Sequence, residues 1–236
     1  MSDWKAKRFW DDASVEAVAD GFTVKLDGRS VKTPAKALLV TPTQAMAEAA
    51  AMEWRAQDDE VNPLSMPITR SINASIDKVA IQPFEVVEML AAYGDADLTC
   101  YRAEQPEALK ARQSAAWDPL LEWTAKRFGA QLRQHPGVMH HGQSQDTLDK
   151  LKTPLALMSA FELTAMHDLI SLSGSLVIGL AASEGHCTPQ DLWNLSRIDE
   201  DWQIEQWGDD EEASELAAEK CASFYHAAHF LDLARA

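Results

Sequence analysis

The chain has 236 residues, of which 46% are hydrophobic, so it can bury a core large enough for one large domain or two smaller ones. Asp and Glu number 37 against 21 Lys and Arg, which gives a formal net charge of -16. This charge argues against nucleic acid or an anionic membrane surface as the main ligand and leaves a basic or amphipathic protein partner open.

The first predicted elements are antiparallel strands. The N-terminal twelve residues carry three basic side chains but no apolar run, so they are not a secretory signal. Residues 22–26 then alternate apolar and polar side chains, as a strand does. Asp27 and Gly28 favour a two-residue turn because both tolerate positive φ, which makes residues 29–33 the returning strand. Residues 37–40 supply a third strand.

A helix is predicted after these strands. Thr41 can cap its N-terminus, Pro42 suits its first position, and Gln44 can complete a capping box. Apolar residues then recur at helical spacing as far as about Gln57. We therefore expect this helix to pack with the strands in one N-terminal domain.

The remainder of the chain is predicted to be almost entirely helical, because only residues 131–133 alternate beyond residue 70. Gly94 and Gly129 favour helix ends, since glycine readily adopts a left-handed conformation. The fold class is therefore α+β, with antiparallel strands and a helix in residues 1–75 and an all-α orthogonal helical bundle in residues 76–236. The helices predicted beyond residue 68 span residues 69–79, 84–93, 106–117, 119–128, 147–152, 154–182, 189–207 and 211–234.

An apolar stretch at residues 155–182 raises the question of a membrane helix. Glu162, His167 and Asp168 interrupt it and leave only the 14 residues 169–182 uncharged. A bilayer-spanning helix needs about 20 apolar residues. We therefore predict a buried core helix and no stable membrane insertion.

The acidic segment, residues 197–220, holds ten carboxylates and no basic side chain between its two ends. Residues 209–212 fill the first turn of the last predicted helix, where the helix dipole favours negative charge. The acids of the preceding helix, predicted at residues 189–207, fall in its back half, where the dipole disfavours them. This contrast makes four acids candidates for a functional role: Asp199, Glu200, Asp201 and Glu205.

Two tryptophans accompany these acids. Trp202 shares a helical face with Leu195 and Ile198, so it is predicted to be core or near-core. Trp207 precedes Gly208, the predicted end of the helix, and is predicted to lie at the surface, since interfaces are enriched in tryptophan. We expect the two tryptophans and the four acids to form a partner-binding surface.

The chain offers little for nucleophilic catalysis or metal binding. It has no GxSxG elbow, no glycine-rich phosphate loop and no HExxH motif, and its histidine pairs at residues 140–141 and at 226 and 229 are predicted to be surface or interface residues. The cysteines are widely spaced and outside any CxxC pair, which argues against a disulfide framework or a zinc site. We expect reduced thiols in the cytoplasm, a monomer, and neither metal nor cofactor.

Asp95 and Asp97 are the carboxylates with the strongest claim to chemistry. They lie near Tyr101 and Arg102 and could act as a general acid and base, as in a glycosidase. They could equally cap the next element and form a structural ion pair. Arg102, like Arg70 and Arg197, is a candidate partner for a buried acid. This role is preferred to the binding of a substrate.

Six segments, in order along the chain, resemble the ATP12 family of F1-ATPase assembly chaperones. Together they extend over most of residues 21–208. They are LDGRSVKTP at residues 26–34, EWRAQ at 53–57, NPLSMPITR at 62–70, DADLTCYRA at 95–103, WDPLLEW at 117–123 and DEDWQIEQWG at 199–208.

The resemblance implies a chaperone without enzymatic activity that binds the free α subunit of F1-ATP synthase and covers its β-facing surface until the hexamer assembles. It also implies a β-containing N-terminal domain followed by a helical bundle and, without a transit peptide, a bacterial form in the cytoplasm. The glutamate before Trp-Gly, here Glu205, is the acid that the resemblance marks as functional. The acids after Gly208 depart from the family pattern. Two alternatives stay open, a hydrolase using Asp95 and Asp97, and an acidic scaffold for another client.

Overall fold

The computed structural model describes residues 7–236, so the interpretation of the N-terminal twelve residues falls partly outside the described residues. The chain forms two compact units. The first contains the described residues up to Pro83 together with Ser159–Ala165 and His229–Ala236, and the second contains Phe84–Met158 and Met166–Ala228. The division into domains at residues 75 and 76 stays a prediction.

The first unit contains an antiparallel sheet in which β2 pairs with all the other strands. The pairs include Val15 with Val24, Lys25 with Ser30 and Phe22 with Thr41. Its strands are β1 (Ala13–Val18), β2 (Gly21–Leu26), β3 (Arg29–Ser30) and β4 (Val40–Thr41).

The turn predicted between β2 and β3 is confirmed. Asp27 and Gly28 have φ values of 46° and 78°, which these two residue types tolerate better than most. The predicted returning strand is only partly present, because β3 ends at Ser30 rather than at residue 33. The third predicted strand is also only partly present, because β4 begins at Val40 rather than at residue 37. β1, the strand before this hairpin, was not predicted.

The helices of the first unit begin with α1 (Gln44–Arg55) and α2 (Pro67–Asp77). Thr43, not Thr41, caps α1, and its hydroxyl oxygen accepts a hydrogen bond from the Met46 amide at 3.2 Å. The Thr41 hydroxyl instead has two acceptors within reach, the Thr43 carbonyl at 3.0 Å and the Phe22 carbonyl of the sheet at 3.3 Å. The predicted cap was wrong because strand pairing takes Thr41. One face of α1 packs against β1 and β2.

Helices also dominate the rest of the chain, and the predicted α+β class is confirmed. The segments 101–102 and 135–136 form two short parallel strands, β5 (Tyr101–Arg102) and β6 (His135–Pro136), whereas residues 131–133 are not a strand. No helix among the described residues is long and apolar enough to cross a membrane. The helices are α3 (Pro83–Ala91), α4 (Glu107–Phe128), α5 (Gln145–Ala156), α6 (Ala160–Ser173), α7 (Leu176–Ser183), α8 (Pro189–Ser196), α9 (Ile198–Trp207) and α10 (Glu211–Arg235).

Several predicted helix boundaries were wrong. Pro119 and Pro154 lie inside α4 and α5 and do not begin new helices. A proline removes one backbone donor, but in α4 the buried side chains of Trp117 and Leu120 hold both halves of the helix in the core. The single helix predicted at residues 154–182 is instead divided among α5, α6 and α7.

Glycine and serine account for part of that division. Gly174 has a φ of 69°, and the Ser175 hydroxyl caps α7 by accepting a hydrogen bond from the Ile178 amide at 3.0 Å. Gly129 ends α4 in the left-handed conformation, as predicted, with a φ of 67°. Gly94, in contrast, lies within the 3-10 helix Ala92–Ala96, so its predicted left-handed helix end was wrong.

Gly21 provides a test of the sheet. Its φ is 144°, and a Cβ added there would lie 2.2 Å from the Thr41 carbonyl oxygen of β4. We expect Gly21→Ala to lower the free energy of unfolding by about 1–3 kcal/mol, since it adds both a clash and backbone strain. Urea denaturation followed by circular dichroism would measure this.

The matched control is Gly28→Asn. Gly28 also has a positive φ, but a Cβ there would meet nothing within 4 Å. Asparagine adopts the left-handed conformation more readily than most residues. The control should therefore change the free energy of unfolding by about 0.5 kcal/mol or less. Equal losses in the two variants would contradict the role assigned to the close approach of Gly21 to β4.

Candidate functional site

Asp97, one of the two carboxylates considered for catalysis, is completely buried. Its Oδ1 accepts hydrogen bonds from the Thr99 amide at 3.0 Å, the Thr99 hydroxyl at 2.7 Å and the Ser175 hydroxyl at 2.7 Å. Its Oδ2 accepts one from the Val177 amide at 3.0 Å. Burial raises the pKa of the Asp97 carboxyl, although these hydrogen bonds act in the opposite direction. The side chain therefore joins the 3-10 helix Leu98–Cys100 to the N-terminus of α7.

Asp95 has a different environment. Its side chain is 37% exposed, Oδ1 accepts a hydrogen bond from the Gln143 amide at 2.7 Å, and Oδ2 lies 3.2 Å from His140 Nε2. A general acid and base must both reach the substrate, which the buried Asp97 cannot do. The capping role proposed for these acids fits Asp97, and the hydrolase interpretation is wrong because this carboxylate is enclosed by its structural hydrogen bonds.

Arg102 continues this structural network. The guanidinium is almost fully buried, donates to the Thr99 carbonyl at 2.7 Å, and pairs with Asp118 at 2.6 Å. Its Cζ lies 5.1 Å from the centre of the Trp117 ring, a cation–π distance. Arg102 is thus the partner of an acid, as predicted, although Asp118 is 42% exposed rather than buried.

α4 connects this network to α8 and α9. Trp117 is 1% exposed, and its Nε1 donates to the Leu195 carbonyl of α8 at 2.8 Å. Gln113 is buried on the same helix. Its Oε1 accepts from the Ala103 amide at 2.7 Å, while its Nε2 donates to Asp199 Oδ1 of α9 at 2.6 Å. One buried amide thereby holds the first turn of α9 next to α4.

The helix predicted at residues 189–207 is broken at Arg197, which separates α8 from α9. Asp199, Glu200 and Asp201 consequently lie in the first turn of α9 and not in the back half of a longer helix. A dipole stabilises each acid in such a turn by about 0.3–1 kcal/mol. The prediction that these three acids oppose the helix dipole was therefore wrong.

Glu205 alone keeps the unfavourable position, near the C-terminal end of α9. Its two carboxylate oxygens lie 2.7 and 2.8 Å from Nη1 of Arg112 on α4. The side chains of Arg112 and Glu205 are 34% and 50% exposed, and such a pair stabilises a protein by about 0.2–1 kcal/mol. The charge of Glu205 therefore already has a partner inside the chain, as does that of Glu200, which pairs with Arg197 at 2.9 Å.

The two tryptophans of α9 differ in their exposure to solvent. Trp202 is only half-buried, and none of the residues of α9, all of which are described, is buried. Trp207 is 79% exposed, so its predicted surface position is confirmed. Ile204, three residues earlier on the same side of the helix, is 41% exposed. We call Asp199, Glu200, Asp201, Trp202, Glu205 and Trp207 the α9 surface.

Sequence reasoning missed three residues of this region. Ile204 could have been found from its i, i+3 spacing to Trp207. Arg112 and Gln113 had no such signal, because they contact α9 from a helix more than eighty positions earlier in the chain. Neither residue lies in a sequence motif that would indicate its contact with α9.

The histidines and basic residues singled out in the sequence do not form a second centre. His140, His141 and His229 are exposed, and His226 is half-buried. Within residues 7–236, no group of three or more His, Cys, Asp or Glu side chains is arranged to hold a metal ion. Arg70 is exposed.

The two aspartates offer a matched test of the structural role. We expect Asp97→Asn to lower the free energy of unfolding by about 1–3 kcal/mol, because an amide group would turn a donor toward the buried donors around it. Asp95→Asn should cost less than about 1 kcal/mol, since that side chain is partly hydrated. Urea denaturation measures both, and equal losses would show that the buried network does not depend on the Asp97 carboxylate.

The chain is similar to known proteins in both sequence and structure. The sequence pattern of the ATP12 chaperone protein family matches residues 7–125. The chain is 44% identical to Atp12 from Paracoccus denitrificans, with a TM-score of 0.95 over 98% of this chain and 100% of that one. It is 41% identical to Atu1473, a putative chaperone from Agrobacterium tumefaciens, with a TM-score of 0.91 over 96% of this chain and 85% of that one.

A more distant relative is the mitochondrial protein atp12 of Schizosaccharomyces pombe. It is 25% identical over 225 residues, which cover 89% of this chain and 76% of the relative. The family match ends within α4, whereas the likeness to the bacterial structures extends over nearly the whole chain, including α9. The family and the Agrobacterium protein are named as chaperones. The chain belongs to the ATP12 family of F1-ATPase assembly chaperones.

Proposed function

We propose that this protein binds the free α subunit of F1-ATP synthase through the α9 surface and keeps it from aggregating until it assembles with β. It acts in the cytoplasm as a monomer. The observation that carries the proposal is the exposure of Trp207, which is 79% accessible at the end of a helix rich in acids.

An unassembled subunit exposes an apolar interface, and a protein that covers it needs an apolar contact of its own. Trp207 of the α9 surface supplies this contact together with its exposed neighbour Ile204. Exposed tryptophans are costly for a monomer but contribute strongly to binding once a partner covers them. The neighbouring acids keep the free chaperone soluble, so the apolar contact can remain exposed between encounters.

The charges of the α9 surface favour a basic target. Asp199, Glu200, Asp201 and Glu205 lie within two turns of helix, and Asp209 and Asp210 follow directly. Charges at the rim of an interface mainly increase the association rate and contribute less to the lifetime of the complex. Such a division suits a chaperone, because rapid capture can then coexist with release to the next subunit.

Replacement of the exposed tryptophan tests the proposal. We expect Trp207→Ala to weaken binding of the isolated α subunit by about 30-fold or more, as loss of a central interface tryptophan typically does. The melting temperature should barely change, since the side chain has little packing to lose. Titration calorimetry and suppression of light scattering by aggregating α subunit measure the two aspects of capture.

Leu64→Ala is the matched control, because Leu64 is also 79% exposed but lies in the first unit. It should bind the α subunit like the wild type. If the wild-type protein does not bind the α subunit but binds a different assembly component or cytosolic protein, the assignment of the α subunit as client is refuted. Equal losses in the two variants would refute the assignment of the surface.

The acids of the first turn of α9 test the electrostatic part. The double variant Glu200→Gln, Asp201→Asn should slow association with the α subunit by about tenfold at low salt and leave dissociation nearly unchanged. Added salt should reduce the difference, because it screens exposed charges. Stopped-flow association rates at several ionic strengths measure both effects.

Asp58→Asn, Asp59→Asn is a control of equal charge change at two exposed acids of the first unit. If it slows association as much as the α9 variant does, net charge and not the α9 surface guides the encounter.

A further inference from the structure

We infer that Arg112 is a positioning residue for client binding, and that Glu205 acts by holding α9 against α4 rather than by contacting the client. The inference rests on the proposed function of the α9 surface. It assigns to Arg112 a role that no sequence motif indicates, and it changes the role of Glu205.

Polar side chains connect α9 to α4. None of the residues of α9, described in full, is buried, whereas the helix before it buries Leu192, Trp193 and Ser196. α9 contacts α4, and Gln113 and Arg112 provide hydrogen-bonded connections between them. A helix with few buried apolar side chains depends on such contacts for its position.

The two connections lie at opposite ends of α9. Asp199, in the first turn, accepts the Gln113 amide at 2.6 Å, and Glu205, near the last turn, pairs with Arg112 at 2.7 Å. Six residues separate the two acids, or about 9 Å along the helix axis. Two anchors at this separation fix the direction of α9, whereas the Gln113 contact alone would let its C-terminal end pivot.

Trp207 depends on the second anchor. It lies two residues after Glu205 and immediately before Gly208, whose φ of 91° ends the helix. Because the indole is mostly exposed, its own packing does little to fix its position. The Arg112–Glu205 pair is therefore the last side-chain anchor before the residue that the client is proposed to cover.

Charge exchange separates this role from direct contact. If Glu205 holds α9 through Arg112, then Glu205→Arg and Arg112→Glu should each disrupt binding, and the double variant should restore it. If Glu205 itself contacts a basic client, an arginine at that position repels the client whether or not residue 112 is acidic. The exchange also places a cation near the C-terminus of α9, where the helix dipole favours it.

The experiment measures binding of the isolated α subunit and backbone hydrogen exchange across α9 in the full-length protein. We expect each single variant to bind about tenfold more weakly, and the double variant to return to within about threefold of the wild type. Exchange of the α9 amides should accelerate in both single variants and slow again in the double variant.

A second ion pair that involves α4 supplies the control. Arg127 pairs with Glu184 at 2.8 Å, with side chains 52% and 33% exposed, and lies fifteen residues, or about 22 Å, further along α4 than Arg112. Neither Arg127→Glu nor Glu184→Arg, alone or combined, should alter α-subunit binding or exchange in α9.

The possible outcomes are distinct. A double variant that binds as weakly as Glu205→Arg, or an Arg112→Glu variant that binds like the wild type, overturns the inference and leaves the proposed function intact. Failure of the wild type to bind the α subunit refutes the proposed function. Hydrogen exchange then still tests whether the Arg112–Glu205 pair anchors α9. Unchanged exchange of the α9 amides in the single variants would overturn this role, and that measurement needs no client.

Discussion

The enclosed carboxylate of Asp97 is the interaction on which the arrangement of the second unit depends. A buried charge is tolerated only when hydrogen bonds replace the water that it has lost, and two hydroxyls and two backbone amides do so here. They fix the segment that leads to Arg102 next to the N-terminus of α7. Arg102 then lies over Trp117, whose indole donates to the end of α8. A series of polar contacts thus extends from the core to the start of α9.

The two ends of this series differ in how they are stabilised. The residues of α7 from Leu176 to Ala181 are all buried, so this helix is held by the hydrophobic effect. α9 has no comparable apolar face and is connected to α4 through Gln113 and Arg112. Elements with little buried apolar surface open more easily than the core. A rigid scaffold that carries a polar-anchored helix is compatible with a surface that must both hold and release a large client.

The acidic segment illustrates how helix boundaries change the meaning of a charge. As one long helix, residues 189–207 would carry four acids against the dipole. The break at Arg197 places three of them in a favourable first turn and leaves Glu205, whose cost Arg112 offsets. The excess of acids is therefore largely explained by local structure, and the exposed Trp207 is the feature that calls for a partner.

Local chemistry accounts for what the sequence alone determined. Asp27 and Gly28 impose the hairpin and Gly129 ends α4, because few other residues adopt positive φ. The six motifs, in order along the chain, indicated the family. The position of Trp207 directly before Gly208 indicated that this side chain is exposed. Only the tertiary structure decided that α4 continues through Pro119, where buried neighbours outweigh one lost hydrogen bond. It alone also decided that Asp97 is structural and that Glu205 meets Arg112, 93 positions away. Burial and long-range pairing arise from packing, which local periodicity does not encode.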